Sequence, residues 1–571
     1  MVTIAAGTFV AAFLLPARGL SGLAAAMAGL AVVVYALGSA RLPVAARAGL
    51  AIAGIAAFVY LPRVVPPTAT VGLGFMPEDD RAELTVHVET PPGSSLEYTR
   101  LKAEEIARFI RAHRDIVTHT YTTLGTQATG EVDEGDIYVT MVPREDRPVS
   151  VYGFAAMLRN ETKHVAGVTL SVFTDDFSGG RKQLQLQIRG DNLATINAAA
   201  DTVEHIVERV PGAVDVGLST KGVKPELNID INRGIAGALG ITVGQIAQSL
   251  RPAFAGLKAG DWIDPSGEVR DVEVRLAPDA RRRAADLSQL PLVVTGPNGL
   301  PVTLPLGQVA TIVDSVGPAI IDHLDRQRVV NVELNTSGRA SGDVTADIQA
   351  RLAHVTLPPG VQLSYGGDAQ NQAEVYGQIF TALGIAVLLM YLVLVVQFGS
   401  FLDPLAIMIS LPLSLIGVML ALAVTGNTVN IMSLIGVILL MGIVAKNAIL
   451  LIDFAKWSRE EQGTPLREAL IQAGAIRLRP ILMTTFALIA GMIPVALGRG
   501  EGAQFRAPLG VAVIGGVVTS TLLTLLVIPT FYEIMDGWRS GMARRFGITP
   551  PHTAEHAVPA GVAGHPAMGD D

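Results

Sequence analysis

Hydrophobic and polar positions are spread very unevenly along this 571-residue chain. Both flanks hold long apolar runs with almost no charge, whereas residues 69–372 alternate polar and apolar positions at short period. A helix that crosses a membrane needs roughly 20 mostly apolar residues. Five runs near the C-terminal end meet this, at 376–398, 401–425, 428–455, 480–498 and 508–535. At the N-terminal end 20–38 and 46–65 qualify and 3–15 is marginal, with Pro62, Pro66 and Pro67 closing the last of them.

The middle reads as folded α+β. Period-two alternation predicts strands in ELTVHVE (Leu84, Val86, Val88), DIYVTM (Ile137, Val139, Met141) and QLQLQI (Leu184, Leu186, Ile188). PELNIDI (Leu227, Ile229, Ile231) and VVNVEL (Val330, Val332, Leu334) alternate in the same way. One predicted helix opens with a capping box of Ser94 and Glu97 and turns Leu101, Ile106, Phe109 and Ile110 inward. Another, over 191–209, carries Leu193, Ile196, Val203, Ile206 and Val207 on one face. The order strand–helix–strand, strand–helix–strand occurs in 80–175 and again in 180–370, where 232–315 interrupts it. The expected fold is an α-helical membrane bundle plus an external α+β region of two tandem split-βαβ (ferredoxin-like) subdomains. The expected divisions are membrane segments of two to three helices in 1–68, subdomains in 69–177 and 178–372, a five-helix membrane domain in 373–538 and a disordered cytoplasmic tail in 539–571.

Composition sharpens this. Half of the residues are hydrophobic and the mean hydropathy is +0.43, too apolar for an ordinary soluble chain of this size. A net charge of −8 gives no footprint for a nucleic-acid partner. The absence of cysteine excludes disulfides, thiolate metal sites and cysteine catalysis. No nucleophile elbow, phosphate loop or zinc motif is present, so an enzyme is not expected. The first 19 residues lack a basic n-region, so they read as a retained span rather than a cleaved signal. Lys456, Arg459, Arg467, Arg477 and Arg479 in one loop, with Arg539, Arg544 and Arg545 after the last run, mark the inner side. Residues 69–372 then lie outside; Arg499 and Arg506, in an outer loop, count the other way.

One charge does not fit its surroundings. In GIVAKNAILLIDFA, Lys446 lies ten residues from Lys456, about 15 Å inside the inner edge, beyond easy snorkelling. A lysine at such depth costs at least about 2.5–3.5 kcal/mol on insertion scales and usually faces a bundle interior and a partner. Its helical neighbours Gly442, Ile443, Ile449 and Leu450 offer no carboxylate, and Asp453 is two turns away near the interface. Asn447 is adjacent but cannot neutralise it, and no other Asp or Glu lies deep in a predicted span. The partner is expected outside this polypeptide; the alternative is an interfacial lysine on a helix shifted in register.

GIVAKNAILLIDFA, EALIQAGAIRLRPILMTTFALIAGMIPVAL and GVAVIGGVVTSTLLTLLVIPTFYEI together resemble the C-terminal half of resistance–nodulation–division (RND) transporters. GFMPEDDRAELTVHVETPPGSSLE resembles their periplasmic opening motif, and GITVGQIAQSLRPAFAG the approach to their docking region. The resemblance covers about 70–540 and implies porter subdomains, a docking insertion and a proton-driven antiporter in the bacterial inner membrane, with 69–372 periplasmic. By motif it assigns the proton relay to Lys446, Asn447, Arg477 and Thr484, with no cofactor beyond the proton gradient. Arg477 and Arg479 also read as positive-inside anchors, and Thr484 as bonding its own backbone. In the family the lysine pairs with two aspartates in an N-terminal half that this sequence lacks, so the resemblance implies a partner chain carrying that half. It also implies a trimer, with a periplasmic adaptor and an outer-membrane channel as further partners.

Metal export is disfavoured. Of the external methionines Met76, Met141 and Met157, Met141 reads as core, and His113, His119, His164 and His205 lie on separate elements. His552, His556 and His565 sit in the Pro/Ala/Gly-rich tail. Amphiphilic organic compounds are the expected substrates. The alternatives are a truncated or non-transporting membrane scaffold of the same fold, and a protein-export accessory.

Overall fold

The computed structural model describes residues 71–125, 131–174, 181–220, 222–281, 283–295, 301–408 and 410–545. The expected spans at 3–15, 20–38 and 46–65 therefore lie outside the described residues, as does the tail from 546.

The first unit runs β1 (Glu83–Glu89), α1 (Leu96–Ala112), β2 (Val117–Leu124), β3 (Glu134–Met141), α2 (Val151–Thr162) and β4 (Thr169–Phe173). Its antiparallel sheet has the order β2-β3-β1-β4. Val86, Val88, Ile137 and Val139 alternate onto one face, where Ile106, Ile110 and Phe154 cover them. The cap of α1 is Ser95 rather than Ser94: its Oγ accepts from the Tyr98 N–H at 3.3 Å. Ser94 Oγ instead donates to the Pro91 carbonyl, and Glu97 is held by Arg100. Leu101 and Phe109 are exposed, because the inward stripe is Thr99, Ala103, Ile106, Ala107 and Ile110. Three of those five are small or polar, which hid the stripe from an apolar count.

The second unit contains β5 (Leu184–Gly190), α3 (Leu193–Val207) and β6 (Ala213–Leu218), then an insertion. β7 (Val223–Ile231) leaves the unit and pairs only with β12 (Ala310–Pro318) as a two-stranded ribbon. PELNIDI therefore forms a stalk rather than a sheet strand, and Leu227 is exposed. Between the two run α4 (Arg233–Ala238), α5 (Val243–Phe254), β8 (Leu257–Ile263), β9 (Val269–Val274), α6 (Ala284–Ser288), β10 (Pro291–Thr295) and β11 (Pro301–Pro305). They enclose a separate small core around Ile246, Leu292 and Leu306. β13 (Asp322–Leu324), β14 (Gln327–Thr336), α7 (Ser341–Leu352) and β15 (Gln362–Gly367) complete the second unit. Its sheet runs β13-β14-β5-β15, with β6 also on β14. Ile196, Val203 and Val207 of α3 and Val344 and Ile348 of α7 cover its inner face.

Burial pushes the Glu333 carboxyl on β14 above its ordinary range; Asp322 and Glu89 add to this, Lys182 and Arg181 oppose it. A carboxyl raised on folding contributes stability that is complete at low pH and is lost as pH rises through the raised value. Glu333→Gln is expected to raise the unfolding temperature at pH 8 and leave it nearly unchanged at about pH 3.5, below the ordinary carboxylate value, read by circular dichroism.

Five helices are long and apolar enough to cross a membrane among the described residues. They are α8 (Asp368–Phe398), α9 (Asp403–Met408) continued by α10 (Ser410–Thr425), α11 (Ile431–Glu461), α12 (Leu466–Leu497) and α13 (Ala507–Arg545). Two boundaries differ from the sequence expectation. α12 starts at Leu466 rather than 480, because Leu470 and Ala473 give its first turns an inward face and Pro480 lies within the helix. α13 continues to Arg545, so 539–545 are helical. α10 and α13 pack closely at glycines: a Cβ on Gly417 would strike the Gly515 carbonyl, and one on Gly515 the Ala421 side chain. Gly515→Val is expected to destabilise the bundle by roughly 1–3 kcal/mol or more, visible as a lower unfolding temperature in detergent.

Short contacts fasten the outer units to the bundle. Gly74 N–H donates to the Val429 carbonyl and Val429 N–H to that of Gly72, both at 2.9 Å. Tyr376 Oη donates to the Gly74 carbonyl at 2.7 Å, and Gly342 N–H to that of Leu73 at 2.8 Å. Asp80 N–H reaches Gln504 Oε1, in the loop before α13, at 3.3 Å.

Candidate functional site in the membrane helices

α11 begins in a capping box, with Asn430 accepting from the Ser433 N–H at 3.0 Å. From Ile431 to Glu461 it spans 31 residues, and Lys446 is fifteen residues from either end. At 1.5 Å per residue that places it about 22 Å from both termini. One side of α11, through Leu440, Val444, Ala448 and Leu451, is buried against the other helices. The opposite side exposes Ile435, Ile438, Leu439, Gly442, Lys446 and Asp453, a stripe at helical spacing. Lys446 makes no hydrogen bond or ion pair among the described residues. Asn447, the next residue, turns inward and is 6% exposed.

The other two sequence-predicted residues lie on α12. The Arg477 guanidinium stacks on the Phe454 ring at 5.2 Å, and its buried Nε has no hydrogen-bond partner among the described residues. Phe454 is eight residues, about 12 Å, from Lys446 toward the C-terminal end of α11, so the arginine and the lysine are not brought together. Thr484, seven residues C-terminal to Arg477 on the antiparallel neighbour, stands near the level of Lys446 along the helix axis. Its hydroxyl is bonded to the Ile481 carbonyl of its own helix at 3.0 Å.

The next residue was missed from sequence. Thr485 is buried and shares a hydrogen bond of 3.1 Å with Thr521 of α13. Ser520 and Thr524 are buried beside Thr521, and Thr524 Oγ1 has no hydrogen-bond partner among the described residues. The available signal was register: Thr485 follows Ile481 by four residues, on the inward face.

A cavity of about 1090 Å³ opens where α7 and α8 meet the outer part of α10 and α11. Phe380, Leu383, Met419 and Val437 give it apolar walls, and Gln349, Gln370 and Gln372 a polar rim. No group of three or more His, Asp or Glu side chains with metal-binding geometry occurs among the described residues. Met141 is buried in the first core, 2% exposed.

The model of the AcrB/AcrD/AcrF family matches residues 46–536. The chain belongs to this family of RND efflux transporters, which are not enzymes. Among curated relatives it is similar to the multidrug resistance protein MdtC of Erwinia amylovora, 29% identical over 495 residues that cover 86% of this chain and 47% of MdtC. It is 28% identical over 493 residues to the protein HelA of Legionella pneumophila, covering 82% of this chain and 46% of HelA. The crystal structure of a heavy metal efflux pump superimposes with a TM-score of 0.70 at 25% identity, covering 91% of this chain and 52% of the pump. The chain spans about half the length of the curated relatives it matches.

Proposed function

We propose that this chain is one half of a proton-driven antiporter that exports amphiphilic organic compounds across the bacterial inner membrane. The observation that carries the reading is Lys446, midway along a 31-residue apolar helix, on its exposed side and without a partner among the described residues. An ammonium at that depth calls for a carboxylate. A partner chain carrying the family's N-terminal half supplies it, seated on the stripe from Ile435 to Asp453. Protonating that carboxylate breaks its pair with Lys446, and the change of charge in low dielectric moves the helices that carry Arg477, Thr484 and the buried Asn447. The two sheet units act as split-βαβ porter subdomains on the periplasmic side, and 232–315 docks neighbours, a trimer, an adaptor and an outer-membrane channel. The amphiphile reading is supported by the cavity, whose apolar walls and amide rim suit a molecule with one polar end.

Metal ions are the second reading, favoured by the likeness to a heavy metal efflux pump. The burial of Met141 weighs against it. Co-purification tests the first reading: the tagged chain is expected to capture a second membrane protein bearing intramembrane carboxylates. Recovery of this chain alone would favour a non-transporting scaffold or a protein-export accessory.

A further inference from the structure

We propose that Arg159, Asp215 and Asn335 form a latch that holds the two sheet units together, with Asp215 as the residue that positions it. The inference rests on the fold alone, not on the partner chain or the substrate.

β6 meets β14 with a bulge: Glu333 faces Gly217 and Asn335 faces Val214, so Asp215 and Val216 stand against a single residue of the partner strand. Asp215 has φ of 53°. The other described non-glycine residues at positive φ, Asp325 and Arg326, form the two-residue turn between β13 and β14, where the hairpin geometry calls for it. Asp215 has no tight turn to explain it. The bulge and the left-handed backbone together aim its carboxylate out of its own sheet, toward the first unit.

There it meets Arg159 of α2. Arg159 Nε lies 2.9 and 3.0 Å from the two carboxylate oxygens, and Nη2 lies 2.8 Å from Oδ2. Oδ2 also accepts from the Val172 N–H at 3.2 Å and from Asn335 Nδ2 at 3.1 Å. Arg159 Nη2 donates to the Val172 carbonyl at 2.8 Å, and Asn335 Oδ1 accepts from the Gln183 N–H at 3.2 Å. Arg159 and the Val172 N–H of the first unit and Asn335 of the second thus close on one carboxylate, whose side chain is 5% exposed.

The chemistry distinguishes a latch from a permanent seam. An apolar seam loses about 25 cal/mol for each Å² it exposes on opening. A buried ion pair carries a desolvation cost while closed, and both charges regain water when parted. Water has a route: a cavity of about 540 Å³ adjoins the pair, with Asn160, Thr162 and Lys163 from one unit and Val214 and Ser337 from the other. The interaction is therefore strong when formed and readily released, as an element with two arrangements requires.

The chain contains no cysteine, so an introduced pair is unique. Spin labels at Lys163→Cys and Ser337→Cys, one on each unit, read the separation by electron–electron resonance in the purified full chain. With the latch intact a single short distance is expected. Asp215→Asn and Arg159→Gln are each expected to add a longer distance and raise the open-to-closed ratio by ~10-fold or more. Asp215→Gly separates this from a purely structural role: glycine accepts positive φ without strain but carries no carboxylate. It is expected to open the units as the Asn variant does, at an unfolding temperature close to that of the parent. Unchanged distances in Asp215→Gly and Arg159→Gln would overturn the proposal.

Discussion

Lys446→Met is expected to reduce export to background while the protein still inserts and binds its partner chain. Methionine keeps the length and apolar stem of lysine and removes only the charge. The side chain makes no ion pair or hydrogen bond among the described residues, so its removal leaves no orphaned group within this chain. Insertion should improve, because an ammonium at that depth costs at least about 2.5–3.5 kcal/mol. The loss would therefore lie in coupling rather than folding. The measurement is efflux of a fluorescent amphiphile from cells expressing the chain and its captured partner, with membrane abundance followed in parallel. Residual export in the variant above a few per cent of the parent would remove Lys446 from the relay. Arg477→Gln offers a milder comparison: its guanidinium rests on Phe454 and does not reach Lys446, so partial loss is expected.

The same helix shows what a sequence can and cannot reveal. Lys446 was legible because a lone charge in an apolar run is an anomaly that spacing alone exposes. Its outward direction was not, because a helix apolar on every side carries no periodic signal to orient it. The structure settles this through the buried side at Val444, Ala448 and Leu451. Thr484 and Thr485 show the same limit: two adjacent threonines differ only in facing, and the buried hydrogen bond belongs to Thr485. In the outer region, alternation located the strands ELTVHVE, DIYVTM, QLQLQI and VVNVEL, since half-buried strands force period two. PELNIDI alternates as cleanly yet pairs only with β12, because alternation reports a strand and not its neighbour. The strand VTHTYTTL escaped notice because six of its eight residues are Thr, His or Tyr. Asp215 carried no local sign at all. Its role depends on Arg159, 56 residues earlier in the chain, and on a bulge that only pairing creates.

The largest expected effect on stability is at the other end of the first unit, where Arg147→Ala should cost about 3–5 kcal/mol. Both charges of this pair are inside: the Arg147 side chain is 1% exposed and that of Asp80 6%. Arg147 Nη2 bonds the Asp80 carboxylate and also donates to the Arg81 carbonyl at 3.3 Å, while Nη1 contacts Met141 Sδ at 3.7 Å. Alanine would leave the carboxylate with the Val151 N–H at 2.7 Å and Arg144 at 3.6 Å, too little to replace the water it gave up. It would also open a void beside Met141 in the first core. At roughly 2–4 °C per kcal/mol, the unfolding temperature of the outer region should fall by about 6–20 °C, read by calorimetry. The double variant Arg147→Met with Asp80→Asn removes both charges and keeps the volume, so it should be clearly more stable than Arg147→Ala. Arg147→Met alone keeps the volume but strands the Asp80 carboxylate, so a stability close to the parent's in that variant would mean that the void, and not the stranded charge, sets the cost of Arg147→Ala. Asp80 N–H also bonds Gln504 Oε1, so the same lesion should loosen the joint between this unit and the helix bundle. Faster proteolysis in the loop before α13 would report that directly.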